Sequence, residues 1–559
     1  QIGLHVVGNN IANANTPGFI REEVVYTTAP VMRKGNLILG LGVEIAGIVQ
    51  KVDHFIQDRL IGARGDRAGA DAQAQAYRDI ESVLDALNGA SQNLGTSLSS
   101  FFNAIHEVTK EPGNLVARQL VVSAGEELAT NLGVLHNKVF DIQDSLNERI
   151  VAMSDDINSV AEEIRELNVK IASTEGGGAT GSNAGALRSQ RQAAVERLSE
   201  LIGLRVSEQA SGGLAVSVGG ELLVFEGQRR EVDIEFRDVG GVAMPVVEFV
   251  DTSSPLEITS GELSGLYAAR NTVAGGFLAN LDELAATLAF EFNKIYSQGQ
   301  GLVGFQQLTS AETVSDPDAA LDAAGLAFAP VSGAFNVIIQ NAGTGLTTEH
   351  TISIDLDGLD QDTTLNSLAA QLDAIDGLSA NVSASGALEL ASESDTIGFA
   401  FAPSVGDSTS DANGVLAALG LNTFFTGASA STLGVNDGLK GLHNANKFAA
   451  SLGGINGGSD NAIILAGLLE RPLHSTGDAS LADLYNQLVG DIANDAAVAQ
   501  SAAEGFRVFE GTLDGQFQAI SGVNIDEEAI TMITLQRIYQ ASARYIQTLS
   551  ELLDVLVNM

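Results

Sequence analysis

The chain has 559 residues with 29 Lys+Arg against 70 Asp+Glu, a formal net charge of −41. That excess of carboxylates argues against nucleic acid, whose phosphates demand cations, and against anionic membrane surfaces. Cysteine is absent, which removes disulfides, thiolate metal sites and cysteine nucleophiles together, while an apolar share of 45% gives material for roughly three or four domains of ~150 residues.

The first element is a helix with an unusual face. Leu4, Val7, Ile11 and Ala14 recur at 3-4-3 spacing, a narrow apolar seam, and Asn9, Asn10, Asn13 and Asn15 line it with amides. The spacing predicts a helix to about Asn15, stopped by Thr16-Pro17-Gly18, because proline disfavours helix in the residue before it and glycine tolerates a turn. The chain opens at Gln1 already on helical spacing and shows no basic-then-apolar export signal, so its natural start is expected upstream. Residues 19 to 53 read as short extended runs punctuated by Gly35, Gly40 and Gly42.

From about Phe55 the pattern is helical. Ile80, Val83, Leu84 and Leu87 give one amphipathic face, and Leu98, Phe101, Phe102, Ile105 and Val108 a second. After a break at Pro112-Gly113, Val139, Ile142 and Leu146 lead into Ile150, Met153, Ile157, Val160, Ile164, Leu167 and Ile171. The last seven alternate 3 and 4, the seam of a coiled coil or bundle. The run 174 to 185 reads as a flexible turn and 187 to 202 as a returning helix. Residues 204 to 258 switch to period-2 alternation, a small β unit. Residues 261 to 297 are helical again. Residues 300 to 435 are rich in Gly, Ala, Ser, Asp and Thr, with short strands around one helix, and helical pattern is expected to resume near Leu442. No apolar run near the ~18 residues of a membrane span stands out.

The last helix carries a second seam. Met532, Leu535, Tyr539, Ser542, Ile546, Leu549, Leu553 and Leu556 fall at 3-4-3-4-3-4-3. A lone helix of this kind is marginal in water, so both chain ends are expected to be frayed in the free molecule and ordered on assembly, with partners in each other or in neighbouring molecules.

The fold class expected is α+β and multidomain, with nested boundaries. Residues 1–53 and 507–559 form a terminal helical domain with its extended linker. Residues 54–304 and 436–506 form a long helical-bundle domain that carries the small β unit near 204–258. Residues 305–435 form an α+β inserted outer domain.

Chemistry is hard to find. The seven histidines are scattered singly, without the spacing of a metal site, and neither a phosphate-cradling loop nor a G-x-S-x-G elbow occurs. The one tempting cluster is Asp355, Asp357, Asp360 and Asp362, but a calcium loop wants Gly at its sixth position and Glu at its twelfth. Counting from Asp355, those positions are Asp360 and Asn366. No enzyme activity, metal or cofactor is expected.

Two stretches resemble a known family. "HVVGNNIANANTPGFIRE" (5–22) resembles the N-terminal motif of bacterial flagellar axial proteins of the rod, hook and hook-associated classes, and "SGVNIDEEAITMITLQRIYQASARYIQTLSELLDVLV" (521–557) resembles their C-terminal motif. Rod proteins are much shorter, and the hook class is β-rich between its ends. "GVNIDEE" and residues 260–299 look like the hook-associated class, whose members join hook to filament. The resemblance implies a structural subunit exported through the flagellar type III channel without a cleaved signal peptide. Its implied partners are copies of itself, the hook protein, a second junction protein toward the filament, and an export chaperone at the C-terminal region. It also implies paired terminal helices forming an inner tube. The assembly residues expected are Leu4, Val7, Asn9, Asn10, Ile11, Asn13 and Ala14 with Met532, Leu535, Tyr539, Ile546, Leu549, Leu553 and Leu556. The amides would bond neighbouring subunits without burying charge, which is costly unless paired. Two other readings compete: an atypical hook-type axial protein, and a secreted acidic adhesin or glycan-binding module working through the 305–435 insert.

Overall fold

A computed structural model describes residues 1–34, 37–89, 93–176, 184–239, 242–359, 361–404 and 413–558. In chain order, helix α1 (Ile2–Ala12) precedes four strands, β1 (Glu22–Thr28), β2 (Val31–Lys34), β3 (Leu37–Gly40) and β4 (Val43–Gln50). Next come α2 (His54–Gly89), α3 (Leu94–Lys110), α4 (Leu115–Glu175) and α5 (Gly185–Leu201). The small β region follows as β5 (Arg205–Glu208), β6 (Leu214–Val218), β7 (Glu221–Phe225), β8 (Gln228–Arg229), β9 (Val232–Val239), β10 (Val242–Phe249) and β11 (Ser254–Pro255). The helical run after it is α6 (Glu262–Ala268), a π-helical turn (Ala269–Ala274) and α7 (Gly275–Tyr296).

The insert contains β12 (Gln307–Thr309), β13 (Gly333–Asn341), β14 (Thr347–Ile354), α8 (Leu365–Asp373), β15 (Leu378–Val382), β16 (Leu388–Ser392), β17 (Ile397–Pro403), α9 (Val415–Ala418), β18 (Phe425–Thr426) and β19 (Gly434–Val435). The chain closes with α10 (Asp460–Ala466), α11 (Leu481–Ser521) and α12 (Ile525–Val557). The fold is therefore α+β and multidomain. Two compact units divide it: one of residues 1–78, 143–273 and 495–559, the other of 79–142 and 274–494.

In the first unit the bundle seam is a core. Ile150, Ile157, Ile164 and Ile171 are fully buried along α4. Two polar residues on the same helix pin the β region by copying strand pairing. Asn158 donates to Val232 O (2.7 Å) and accepts from Val232 N (3.1 Å); Asn168 donates to Leu214 O (2.8 Å) and Glu226 O (3.0 Å) and accepts from Leu214 N (2.9 Å). Residues 204–258 make two small antiparallel sheets, β5-β6-β7-β8 and β11-β10-β9. Elsewhere in the unit, Ile20, Leu60, Ala63, Leu513 and Phe517 cluster. Beside them Arg64 pairs with Glu196 and Glu510, and Arg67 with Asp71, Glu200 and Glu510, which ties α2, α5 and α11 together. The expected turn at 174–185 falls largely on 177–183, outside the described residues.

The second unit has two cores. One is aromatic: Phe101, Phe102, Phe292, Tyr296, Phe424, Phe425 and Phe448 lie with neighbouring ring centroids 4.8 to 6.4 Å apart, tilted or edge-on as ring quadrupoles favour, except for the stacked pair Phe292–Tyr296. Asn293 holds the strand side in register, accepting from Phe424 N and Phe425 N and donating to Phe425 O. The other core belongs to the insert, where sheets β14-β13-β17 and β12-β16-β15 and helix α8 enclose Phe335, Leu365, Leu368, Leu388, Phe399 and Phe401. Replacing Phe292 by Ala opens a void in the aromatic core, and a loss of about 3–5 kcal/mol is expected for this unit. Calorimetry should show one transition moving down while the other stays.

Two expectations need correction. Regular helix does not return near Leu442. Residues 442–480 hold α10 and short 3₁₀ turns, and long helix begins at Leu481. The reason is local: Gly453, Gly454, Gly457 and Gly458 interrupt the run, Gly454 and Asn456 take positive φ, and Pro472 follows. The stretch Glu262–Tyr296 is also long and apolar enough to span a membrane by length and composition. Half of its most apolar window is buried, and Leu281, Leu284, Leu288 and Phe292 are core residues.

Candidate assembly interface

The two chain ends meet within the first unit. Helix α1 packs on α12 and on β1. Gly3 makes the approach possible, since a Cβ there would stand 2.7 Å from Tyr26 Oη and 3.3 Å from Leu535 Cδ1. Val6 and Val7 are buried at this contact face, Leu4 and Ile11 are half-buried, and Gln1 Nε2 lies 3.4 Å from Tyr539 Oη. The free N-terminal end is thus docked on its own chain, not frayed, because α12 supplies the apolar partner that the seam needs.

A buried polar lock fixes that docking. Asn10 is 1% exposed. Its side chain clamps the start of β1 in both directions, donating to Glu22 O (2.9 Å) and accepting from Glu22 N (3.0 Å), and it also donates to Glu528 Oε2 (3.2 Å). Glu528, 2% exposed, takes a second bond from Arg21 Nε at 2.7 Å, and Arg21 Nη1 reaches Glu527 at 3.2 Å. Arg21 N donates to Ser521 O (2.9 Å). A buried carboxylate is tolerated when a cation and further donors satisfy it, and here Arg21 and Asn10 do so.

The start of α12 is set by its sequence. Asn524 caps it, accepting from Asp526 N and Glu527 N, and Asp526, Glu527 and Glu528 fill the first turn, where carboxylates meet the positive end of the helix dipole. "GVNIDEE" is therefore a helix-start signal whose last Glu doubles as the lock.

The amide row is revised accordingly. Asn10 is engaged inside its own chain and is unavailable to a neighbour. Asn13 turns back on Asn9, donating to its backbone and side-chain oxygens at 3.0 Å, and Asn9 lies 3.5 Å from Glu22 Oε2. That return ends α1 at Ala12, earlier than Asn15, so Ala14 lies in the following turn and not on the helix seam.

The C-terminal residues behave differently. Met532 and Leu535 are half-buried under α1, whereas Tyr539, Ile546 (66%), Leu549 and Leu553 (61%) are exposed. The side chain of Leu556 lies outside the described set. A column that the seam did not include stands beside them: Ile538, Tyr545 and Leu552, spaced by seven and all more than half exposed. The apolar face of α12 is thus two columns wide. At 1.5 Å per residue, α1 is about 16 Å long and α12 about 50 Å, so α1 covers only the first part, and residues 536–555 are exposed throughout. Contiguous exposed apolar surface of this kind marks an interaction site.

Elsewhere, the carboxylates of Asp355, Asp357 and Asp362 lie within 4.8 Å of one another, while Asp360 is outside the described residues. Asp357 and Asp362 accept from the turn's own backbone, Leu359 N and Gly358 N, which accounts for the cluster as an acidic turn.

Comparison with known proteins fits this arrangement. Three family models match: "Flagella basal body rod protein" at residues 1–19, "Flagellar hook-associated protein FlgK helical domain" at 80–308, and "Flagellar basal body rod FlgEFG protein C-terminal" at 515–559. The first and last coincide with the docked terminal helices, so the class is that of flagellar axial proteins. Flagellar hook-associated protein 1 of Escherichia coli K12 is 26% identical over 585 residues, covering 100% of this chain and 97% of its own length. The protein of that name from Bacillus subtilis is 25% identical, covering 100% and 95%. The solved flagellar hook junction protein FlgK from Burkholderia pseudomallei shares the fold, with a TM-score of 0.50 at 15% identity over 83% of this chain and all of its own. The chain is thus similar to flagellar hook-associated protein 1 along its whole length.

Proposed function

We propose that this chain is a structural subunit of the junction between flagellar hook and filament, and that it joins the axial structure by completing the exposed face of α12 with terminal helices of neighbouring copies. The observation that carries this reading is the two-column apolar surface from Ile538 to Leu553, left open although α1 is already docked. Each Leu or Ile buried there is worth about 1.5–3 kcal/mol, and head-to-tail contacts, unlike two-fold ones, propagate into a helical tube. The assembly set is Met532, Leu535, Tyr539, Ile546, Leu549, Leu553 and Leu556, with Ile538, Tyr545 and Leu552 added. From α1, Leu4, Ile11, Asn9 and Asn13 retain partly exposed surface toward neighbours, while Val7 and Asn10 serve the intrachain dock.

In this reading the subunit reaches the cell exterior through the type III export channel and contacts the hook protein on one side and a second junction protein on the other. Before export, a chaperone shields the same apolar C-terminal face. The role is structural, without catalysis or a cofactor. Deleting the gene should leave hooks intact while filament protein accumulates unattached in the medium, as seen by electron microscopy and by assay of the culture supernatant. Normal filaments on such cells would contradict the assignment.

A further inference from the structure

The first unit contains a cavity of about 250 Å³ where the end of β4 and the start of α2 meet α5 and the β region. Arg191 lines it and is only 5% exposed. Its Nη1 donates to two neutral acceptors, Asn168 Oδ1 at 2.9 Å and Gly212 O at 2.7 Å. Its Nε and Nη2 make no hydrogen bond among the described residues. Those two nitrogens form one edge of the guanidinium, the fork that takes a carboxylate in two parallel bonds.

Neighbouring charges do not fill that role. Arg188, on the same wall, takes the nearby acids for itself: Nε and Nη2 reach Glu175 at 2.8 and 2.9 Å, and Nη1 reaches Glu208 at 2.6 Å. Burial, with Arg188 adding repulsion, pushes the Arg191 guanidinium down to about 10, although Glu208 and Glu175 attract it from beyond bonding distance. A cation removed from water without a bonded anion is costly. The remaining wall mixes apolar Ile20, Val52, Val206 and Leu214 with polar side chains that largely satisfy one another. Gln57 bonds Gln192, His54 Nδ1 lies 3.2 Å from Gln57 Oε1, and Gln50 donates to Ser189 Oγ at 2.8 Å. Asp58 and Glu208 also border the space, which favours a singly charged ligand over a dianion.

We propose that this cavity is a binding site for a small monocarboxylate, held in two bonds by the Nε–Nη2 edge of Arg191. The test is thermal unfolding of the full chain in sodium acetate, sodium chloride and sodium sulfate at matched ionic strength and pH 7. It uses the natural protein and Arg191→Lys, which keeps the charge and loses the fork, with far-UV circular dichroism confirming the fold of both. Acetate is expected to raise the midpoint of the natural protein in a saturable way, as a ligand of the native state does, whereas chloride gives no such rise and sulfate only the unsaturable rise of an excluded salt, equal in both variants. The Lys variant is expected to need at least about tenfold more acetate for the same shift, the effect of losing one strong bond. Equal midpoints of the natural protein in acetate and chloride would overturn the proposal, whether or not the variant folds. So would an equal saturable response to sulfate, or an equal acetate response in Arg191→Lys.

Discussion

Replacing Ile546, Leu549 and Leu553 together by Lys is expected to leave the free chain folded and to abolish junction assembly. All three side chains are exposed, so the substitutions remove little packing from the monomer, and surface changes of this kind cost within about 0.5 kcal/mol each. Lysine also keeps helix propensity and suits the C-terminal half of a helix, where the dipole favours cations. In the assembled wall the same three positions would carry buried, unpaired charges, at several kcal/mol per subunit. Cells carrying the triple variant should export it and fail to retain filaments. Assembly at the normal level, with the monomer's melting temperature unchanged, would show that this face of α12 is not an interface.

Glu528→Ala is expected to release α1 while sparing the rest of the molecule. The substitution leaves Arg21 and the buried Asn10 without their common acceptor, and breaking a buried pair from one side costs about 3–5 kcal/mol. The loss should appear as local opening: amide exchange in α1 should rise a hundredfold or more, with exchange in α7 unchanged. Glu528→Gln, which retains an acceptor oxygen without the charge, should fall between. If α1 stays protected in Glu528→Ala, the lock is not what holds the chain ends together.

How far the sequence was legible follows from the range of each interaction. Seams that repeat within one helix were readable: the burial of Ile150, Met153, Ile157, Ile164, Leu167 and Ile171 was written in their spacing, with Ala161 taking the core place expected for the half-buried Val160. So was the change to strand at 204–258, because period 2 is a local signal. The lock was not readable. Asn10 and Glu528 are 518 positions apart, and nothing in "GNNIANA" says that one of its three amides bonds a distant carboxylate while another turns back on its own helix. The Asn-then-acid start of α12 was the one available clue, since an acid in a first turn is expected for the dipole alone and Glu528 exceeds that need. The second column, Ile538, Tyr545 and Leu552, escaped because a strict 3-4 pattern selects one stripe and passes over an apolar residue three places further on. The stretch after Leu442 misled because its scattered apolar residues suggest continuous helix, whereas Gly453, Gly454, Gly457, Gly458 and Pro472 confine regular helix there to the short α10.

The absence of cysteine offers a clean test of the central claim, that the open face of α12 is completed by neighbouring subunits. A single cysteine placed by Leu549→Cys, and a control placed by Thr348→Cys on the exposed outer strand β14, can be labelled with a maleimide in the purified chain and in isolated hook–junction–filament assemblies. The account predicts fast labelling at both positions in the free chain, and in the assembly at least tenfold slower labelling at position 549 with no change at 348. Equal labelling of position 549 in the two states would contradict it.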